Sequence, residues 1–429
     1  MGINLGVLQG ISKAIVSFPY VLILFLVAMN FYRKNRKISK MQKLIIGKSI
    51  NTPLELTLSE IVLGITGGIF SSVLLSYLGV GFSENSLVDL IFLFSLLSLS
   101  FKTKAMNFAY TASIMGFISI LIEIMKGLYS ADWNILSVLS IDVVSLMTMV
   151  AIIYLTQGIL IMIDGGRGSI PVFSKRNGEI IGGFALKRSW IIPCAIIILT
   201  TSNNYSISET YSLSHWKTFL TATNPMVILS GIVLFVLPLF GVLNFSTFTF
   251  SKSKKEKSFI YGAFMIGYSC ILFVLARLGT LNVFFKLATV IFAPAALEAI
   301  EIFQNYKEIN SKPKYTSNDD GVMVLEVVPD SPAYNMGIKS GDRLVTINDK
   351  KIKKEEDILE IIKETSSNIL LKIKKATGIL EEVRYSKTNG INALGVILVP
   401  ISLPQKEGYI LFEHVNKERI IDKIKNKDN

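Results

Sequence analysis

The residue types that carry most hydrolytic chemistry are scarce in this chain, which has two histidines, His215 and His414, and two cysteines, Cys194 and Cys270, among 429 residues. A zinc hydrolase needs two histidines one helical turn apart with a glutamate beside the first, so that both ligands and the general base face one metal. His215 stands in Leu213-Ser214-His215-Trp216 and His414 lies in the last stretch of the chain, and neither has that spacing. A Ser-His-Asp triad would have to recruit one of these two, and no nucleophile elbow or Gly-Asn-Ser-Gly-Gly-like segment is present. A Ser-Lys pair needs no fixed spacing and stays open. Both cysteines sit inside apolar runs and read as packing residues, which supports neither a disulfide framework nor a cysteine-based metal site. Asp164-Gly165-Gly166-Arg167-Gly168-Ser169 is glycine-rich but lacks the Gly-Lys-Ser/Thr ending and the preceding soluble strand of a phosphate-cradling loop, so it reads as a flexible loop. The expectation is a non-enzyme with no catalytic residues, metal or cofactor.

The elements that carry these residues are mostly greasy. Hydrophobic residues make up 51% of the chain and charged ones 18%, against about 25% charged in soluble domains. Long apolar runs fill the first 300 residues, and the charges crowd in after them. The fold class predicted is an α-helical polytopic membrane domain of about nine spans over 1–305, a linker at 306–314, an α+β domain at 315–404 and a charged tail at 405–429. The candidate spans are 14–32, 59–81, 87–101, 105–125, 136–163, 189–203, 226–250, 258–276 and 281–300, the last interrupted by Lys286 and Pro294. Arg33-Lys34-Asn35-Arg36-Lys37 follows the first, where a cleavable leader would carry small residues, so this run is expected to stay as an anchor.

The net charge of +12 gathers in short clusters beside apolar runs, with no aromatic-interleaved stripe, which points to the lipid bilayer and away from nucleic acid. Alternate loops hold eighteen and four basic residues, the poor set being Lys13, Lys126, Lys217 and Arg277. Positive charge is retained on the cytoplasmic side, so the rich loops are expected there, with the N-terminus outside and, after a ninth crossing, the C-terminal domain in the cytoplasm. Glu60, Asp89 and Glu123 fall near span ends, where interfacial water is within reach. Asp142 lies deeper and is expected to cap a helix or pair between helices. Gly64, Gly67 and Gly68 line one helix face and favour close helix packing.

The region after Glu301 alternates apolar and polar residues and reads as about five strands and two helices. Ser331-Pro332-Ala333 supplies an N-cap, a proline at the first helical position and a helix former, closed by Gly337. Ile358, Ile361 and Ile362 repeat at helical spacing in an acidic-led segment. In Gly321-Val322-Met323-Val324, Val328-Pro329-Asp330-Ser331-Pro332-Ala333 and Gly337-Ile338-Lys339-Ser340-Gly341-Asp342-Arg343-Leu344 the region resembles a bacterial PDZ domain. That resemblance implies binding of an extended peptide, often the C-terminal end of a protein, along an exposed strand edge. By similarity to permuted bacterial forms, Ala393-Leu394-Gly395-Val396 corresponds to the loop that cradles the peptide carboxylate. Leu394, Gly395 and Val396, with Ile358, Ile361 and Ile362 as groove wall or core, are therefore the expected peptide-binding residues.

A polytopic region followed by one PDZ domain resembles the MinJ family of Gram-positive division-site proteins. Looser likenesses lie in Ser17-Phe18-Pro19-Tyr20, the basic stretch that follows the first span, and Leu287-Ala288-Thr289-Val290-Ile291-Phe292-Ala293-Pro294. The resemblance implies a scaffold in the cell membrane, enriched at septum and poles, that bridges a MinD-like ATPase and a DivIVA-like protein. Two other readings stay open on the residues: a membrane protease or its accessory, and a transporter with a regulatory PDZ domain.

Overall fold

The computed structural model describes residues 3–46, 50–101, 104–128, 141–176, 178–201, 210–212, 216, 232–318, 320–352, 361, 368–386, 394–401 and 411–412. Among the described residues, five helices are long and apolar enough to cross a membrane, and most begin on a local signal. Helix α3 (Pro53–Tyr77) opens on Thr52, whose side chain accepts from the Glu55 N–H, with Pro53 in the first turn. Helix α6 (Val143–Asp164) opens on Asp142, which accepts from the N–H groups of Val144 and Ser145, so this carboxylate is a helix cap. Helix α7 (Lys254–Leu278) starts with a reciprocal Ser253/Glu256 capping box, and α8 (Val283–Asn310) with Asn282. Helix α5 (Phe108–Leu128) is the fifth. Helices α1 (Ile3–Val16) and α2 (Tyr20–Ile46) form a pair bent by 63°, a sixth span if taken as one.

The expectation of nine helical spans is corrected here. Helix α4 (Val88–Leu97), in the predicted span 87–101, has 10 residues, half of the roughly 20 that a crossing needs. The described parts of the predicted spans 189–203 and 226–250 fall in strands, β3 (Glu179–Thr201) and β5 (Ile232–Thr249), paired antiparallel from Phe184↔Thr249 to Thr201↔Ile232, while 202–203 and 226–231 lie outside the described residues. Both carry an interior proline, Pro193 and Pro238, and are rich in β-branched residues such as Ile191, Ile192, Val236 and Val242. That composition disfavours a helix interior and suits an extended chain. Strand β2 (Ile170–Arg176) lies on the other side of β3, and β1 (Gly81–Ser83), β4 (Thr210–Ser212), β6 (Tyr315–Thr316) and β13 (Leu411–Phe412) complete this sheet.

A ribbon in apolar surroundings must have its edge groups satisfied by protein. Along β3 the neighbour is α3: Gly64 and Gly68 rest on the carbonyls of Ile191 and Pro193, where an added Cβ would overlap the oxygen. Glu60 Oε1 accepts the Ser189 N–H at 3.1 Å and Ser72 Oγ accepts the Ala195 N–H at 2.9 Å. Pro193, in register between them, has no N–H to place. Along β5, Ser95 Oγ of α4 accepts the Val242 N–H at 3.2 Å, and Gln157 of α6 donates to the Asn244 carbonyl at 2.9 Å. Gly67 points the other way, onto Thr156 and Leu160 of α6, so the small residues of α3 serve a strand on one side and a helix on the other.

Two buried ion networks hold this assembly. Arg188 on β3 is fully buried, and its Nε and Nη2 donate to Asp164 Oδ2 at 2.7 and 2.5 Å. Its Nη1 lies 3.2 Å from Glu60, while Nη2 also reaches Ser59. Asn35 donates to Glu60 at 2.7 Å and Trp190 to Asp164 at 3.1 Å, so α2, α3, α6 and β3 meet at one charged knot. Glu60 is therefore buried rather than interfacial. In the second network Lys257 pairs with Glu308 at 3.2 Å, and Glu308 accepts the N–H groups of Phe250 and Ser251. Glu123 pairs with Lys286 at 2.8 Å, and Asp89 is exposed in the first turn of α4.

The C-terminal module has strand order β11-β10-β8-β7-β12, with β9 beside β8. Its elements are β7 (Val322–Val327), the one-turn helix α9 (Pro332–Asn335), β8 (Arg343–Ile347), β9 (Lys350–Lys351), β10 (Asn368–Lys374), β11 (Leu380–Ser386) and β12 (Val396–Leu398). Val324, Ala333, Leu344, Ile347, Leu371, Leu394 and Leu398 share its core. Within 306–314, α8 continues to Asn310, Arg176 donates to the Ser311 carbonyl at 2.7 Å and the Lys314 N–H to the Phe250 carbonyl at 2.8 Å. Of the stretch 405–429, only Leu411–Phe412 is described.

Candidate peptide-binding site

The turn motifs of the module fix where β12 lies. Gly321 sits at φ +144 with no room for a Cβ, which would stand 2.6 Å from the Leu344 carbonyl oxygen. Ser331 caps α9 by accepting the Tyr334 N–H, with Pro332 at the first helical position and Ala333 buried behind it; Pro329, just before, is exposed. Gly337 and Gly341 take φ of +73 and +96, a region open to glycine. Asp342 is buried, accepts the N–H groups of Lys339 and Ala376 at 2.9 and 3.1 Å, and lies 3.5 Å from Lys375. This carboxylate therefore staples the β8 turn to the β10–β11 hairpin.

Among the described residues, strand β12 is the terminal strand of the sheet and pairs on one side, with β7. In an antiparallel pair alternate residues turn their backbone groups to the partner. The Val328 N–H donates to the Gly395 carbonyl, and after a register shift between Ile397 and Leu398 the Val399 N–H donates to the Met323 carbonyl. The alternation leaves the N–H and C=O of Val396 and Leu398 on the outer edge. Just upstream, the Leu394 carbonyl accepts the Ala333 N–H at 3.0 Å and the Gly395 carbonyl accepts the Val328 N–H at 2.9 Å. Across each trans, planar peptide unit the N–H points opposite to the C=O. The N–H groups of Gly395 and Val396 are thus both turned away from α9, with Gly395 at φ +74. Two successive N–H groups about a left-handed residue form a concavity suited to an anion such as a terminal carboxylate.

The structure therefore brings Leu394, Gly395 and Val396 together at the start of a single-sided edge strand. Leu394 is buried in the core together with Ile361, whose expected alternative was the groove wall. Ile358 and Ile362 lie outside the described residues, as do His215 and His414.

The opposite face of this region was not read from the sequence. Ile397, Val399, Met323 and Leu325 join Phe184 and the apolar core of the N-terminal part in one cluster. Tyr315 is buried against Phe184 in a T-shaped contact with centroids 5.7 Å apart, and β6 pairs with β3 through Gly182↔Tyr315. Burial raises the Tyr315 phenol pKa above its ordinary value. Lys254 on α7 pairs with Glu326 on β7 at 2.6 Å. The available sequence signal was apolar side chains at every position of Val396–Val399, which marks a strand covered on both faces.

Residues 323–375 match the PDZ domain family. The C-terminal module is a PDZ domain. The curated relatives are similar over the PDZ region only. The chain is 31% identical over 83 residues to serine protease HTRA1 of Xenopus tropicalis, covering 19% of this chain and 17% of that protein. It is 30% identical over 89 residues to the probable cell division topological determinant MinJ of Lacticaseibacillus paracasei, covering 20% and 23%. A probable periplasmic serine endoprotease DegP-like protein of Bartonella henselae is 50% identical over 48 residues, covering 11% and 10%. The chain thus spans less than a quarter of the length of each of these relatives. No solved structure matches it significantly. The chain is thus similar to MinJ over its PDZ region, and its N-terminal part carries helices long and apolar enough to cross a membrane.

Proposed function

We propose that this protein is a membrane-anchored adaptor that captures the extended C-terminus of a protein partner on the outer edge of β12. The observation that carries the reading is the paired outward N–H groups of Gly395 and Val396 at the head of that edge. Backbone pairing with Val396 and Leu398 supplies affinity. The likeness to MinJ favours a partner in division-site placement, with the chain as a bridge between a MinD-type ATPase and a DivIVA-type protein at septum and poles. The basic C-terminal half of α2, the basic residues after α6 and those of the first turn of α7 lie towards the end of the helical assembly that also carries the PDZ domain, as the Gln42–Ser169, Lys254–Glu326 and Arg176–Ser311 contacts illustrate. With positive charge held inside, that end is cytoplasmic.

A multi-span anchor also confines the peptide reader to the membrane surface and raises its effective concentration for partners there. The protease reading draws on HTRA1 and the DegP-like protein, whose matches cover small fractions of those proteins. The test uses the full chain in nanodiscs against C-terminal peptides with a free or an amidated carboxylate. Selective binding of the free acids, lost in Gly395→Ala, is expected. Equal binding of acid and amide, or cleavage of a membrane substrate by the purified protein, overturns the proposal.

A further inference from the structure

Gln42 of α2, Ile50 and Asn51 ahead of α3, the Gly165–Ser169 loop with the end of α6, and the first turn of α7 line a cavity of about 270 Å³. Three cations line it, Arg167, Lys254 and Lys255, and no carboxylate is among the described lining residues. The carboxylates nearest these cations are already shared. Arg167 lies 3.5 Å from Asp164, which Arg188 also holds, and Arg188 in turn contacts Glu60. Lys254 is bound by Glu326, and Lys255 is exposed with no ion pair among the described residues. Among the described residues, Lys255 is thus the lining cation with no carboxylate partner, while Glu55, just outside the lining, accepts from Asn51 at 3.0 Å.

The walls are set by the fold. Gln42 donates to the Ser169 carbonyl at 2.9 Å, Ser258 donates to the Lys254 carbonyl at 2.9 Å, and Gly168 turns at φ +66 against Leu56. The rim is apolar where a soluble anion site would be polar: Ile163, at 66% exposure, and Met162 line the same cavity. It therefore presents cations beside an exposed aliphatic side chain, at the end of the helical assembly where the basic segments meet.

We propose that this cavity binds a phosphate group, and specifically the headgroup phosphate of an anionic phospholipid whose acyl chain lies along Ile163. Arg167 and Lys255 supply the charge-assisted contacts, and the aliphatic rim separates a lipid from free phosphate. The full chain, purified in neutral detergent, is titrated with short-chain phosphatidylglycerol, with phosphatidylcholine of the same acyl length and with inorganic phosphate, and binding is read by native mass spectrometry. Saturable phosphatidylglycerol binding is expected, weakened about 25-fold in Arg167→Gln/Lys255→Gln if each cation contributes roughly fivefold. The single Lys255→Gln variant, at an exposed position, is expected to lose about fivefold. A Lys312→Gln/Lys339→Gln control removes the same net charge from exposed positions elsewhere and is expected to change nothing. Inorganic phosphate binding as tightly as the lipid would keep the phosphate site but overturn the lipid as its source. Equal losses in both double variants, or equal binding of phosphatidylcholine and phosphatidylglycerol, would overturn the site.

Discussion

Replacing Gly395 with alanine tests the geometry of the carboxylate loop most sharply. Two separate effects should oppose the substitution. The φ of +74 is a left-handed conformation that costs a residue with a Cβ about 1 kcal/mol. The new Cβ would also overlap the Cβ of Ser331, and relieving an overpacked contact of this kind costs about 1–3 kcal/mol. The total is roughly 2–4 kcal/mol, felt by the bonds that the Val328 and Ala333 N–H groups make to this loop. Gly378 is the matched control: its φ is +90, and nothing stands within 4 Å of an added Cβ. Gly378→Ala should therefore show the backbone cost alone, about 1 kcal/mol.

Ser331→Gly removes the clashing atom while keeping a tolerated N-cap residue, at a cost of only a few tenths of a kcal/mol. Combined with Gly395→Ala it should restore the steric part, a favourable coupling of about 1–3 kcal/mol in a double-mutant cycle. Hydrogen exchange at the Val328 and Ala333 amides reads this locally, and a loss of 2 kcal/mol corresponds to roughly 30-fold faster exchange. Gly395→Ala matching Gly378→Ala, or no rescue by Ser331→Gly, would refute the packing of the loop against α9.

Three further substitutions address the rest of the molecule. Arg188→Met leaves the buried carboxylates Asp164 and Glu60 without their shared cation. It should destabilise the protein by about 3–5 kcal/mol, seen as a lower melting temperature in detergent, with recovery when Glu60→Gln and Asp164→Asn are added. Ser72→Ala strands the Ala195 N–H on the edge of β3; a cost of about 1–3 kcal/mol is expected, with faster exchange at Ala195 and little change at Val242. Tyr315→Ala empties the contact with Phe184 and should cost about 3–5 kcal/mol by cavity formation. Limited proteolysis at 311–316 should accelerate, while peptide binding to an intact PDZ domain persists.

The sequence by itself determined the features whose physics is local. Caps at Thr52, Asp142, Ser253 and Ser331 lie next to the helices they start, and the glycines at 321, 337 and 341 mark backbone that only a few residues tolerate. The PDZ domain was legible for that reason, because its signals are turns and caps at short spacing. Apolar runs long enough to cross a bilayer were legible too, but not their secondary structure. A strand buried on both faces shows no alternation, so β3 and β5 read like spans, and only their pairing across the fold decided otherwise.

The same holds for the polar contacts that make this ribbon possible. Glu60 meets Ser189 and Arg188, Ser72 meets Ala195, and Gln157 meets Asn244, all between residues far apart in the sequence. No spacing in the sequence encodes such meetings. Tertiary packing alone turned a glutamate near a predicted helix end into half of a buried ion pair, placed the reverse face of β12 on the N-terminal sheet, and gathered cations from two basic segments around one cavity. The reason is physical: a cap or a turn is satisfied within a few residues, whereas a buried charge or strand edge is satisfied by whatever the fold brings to it.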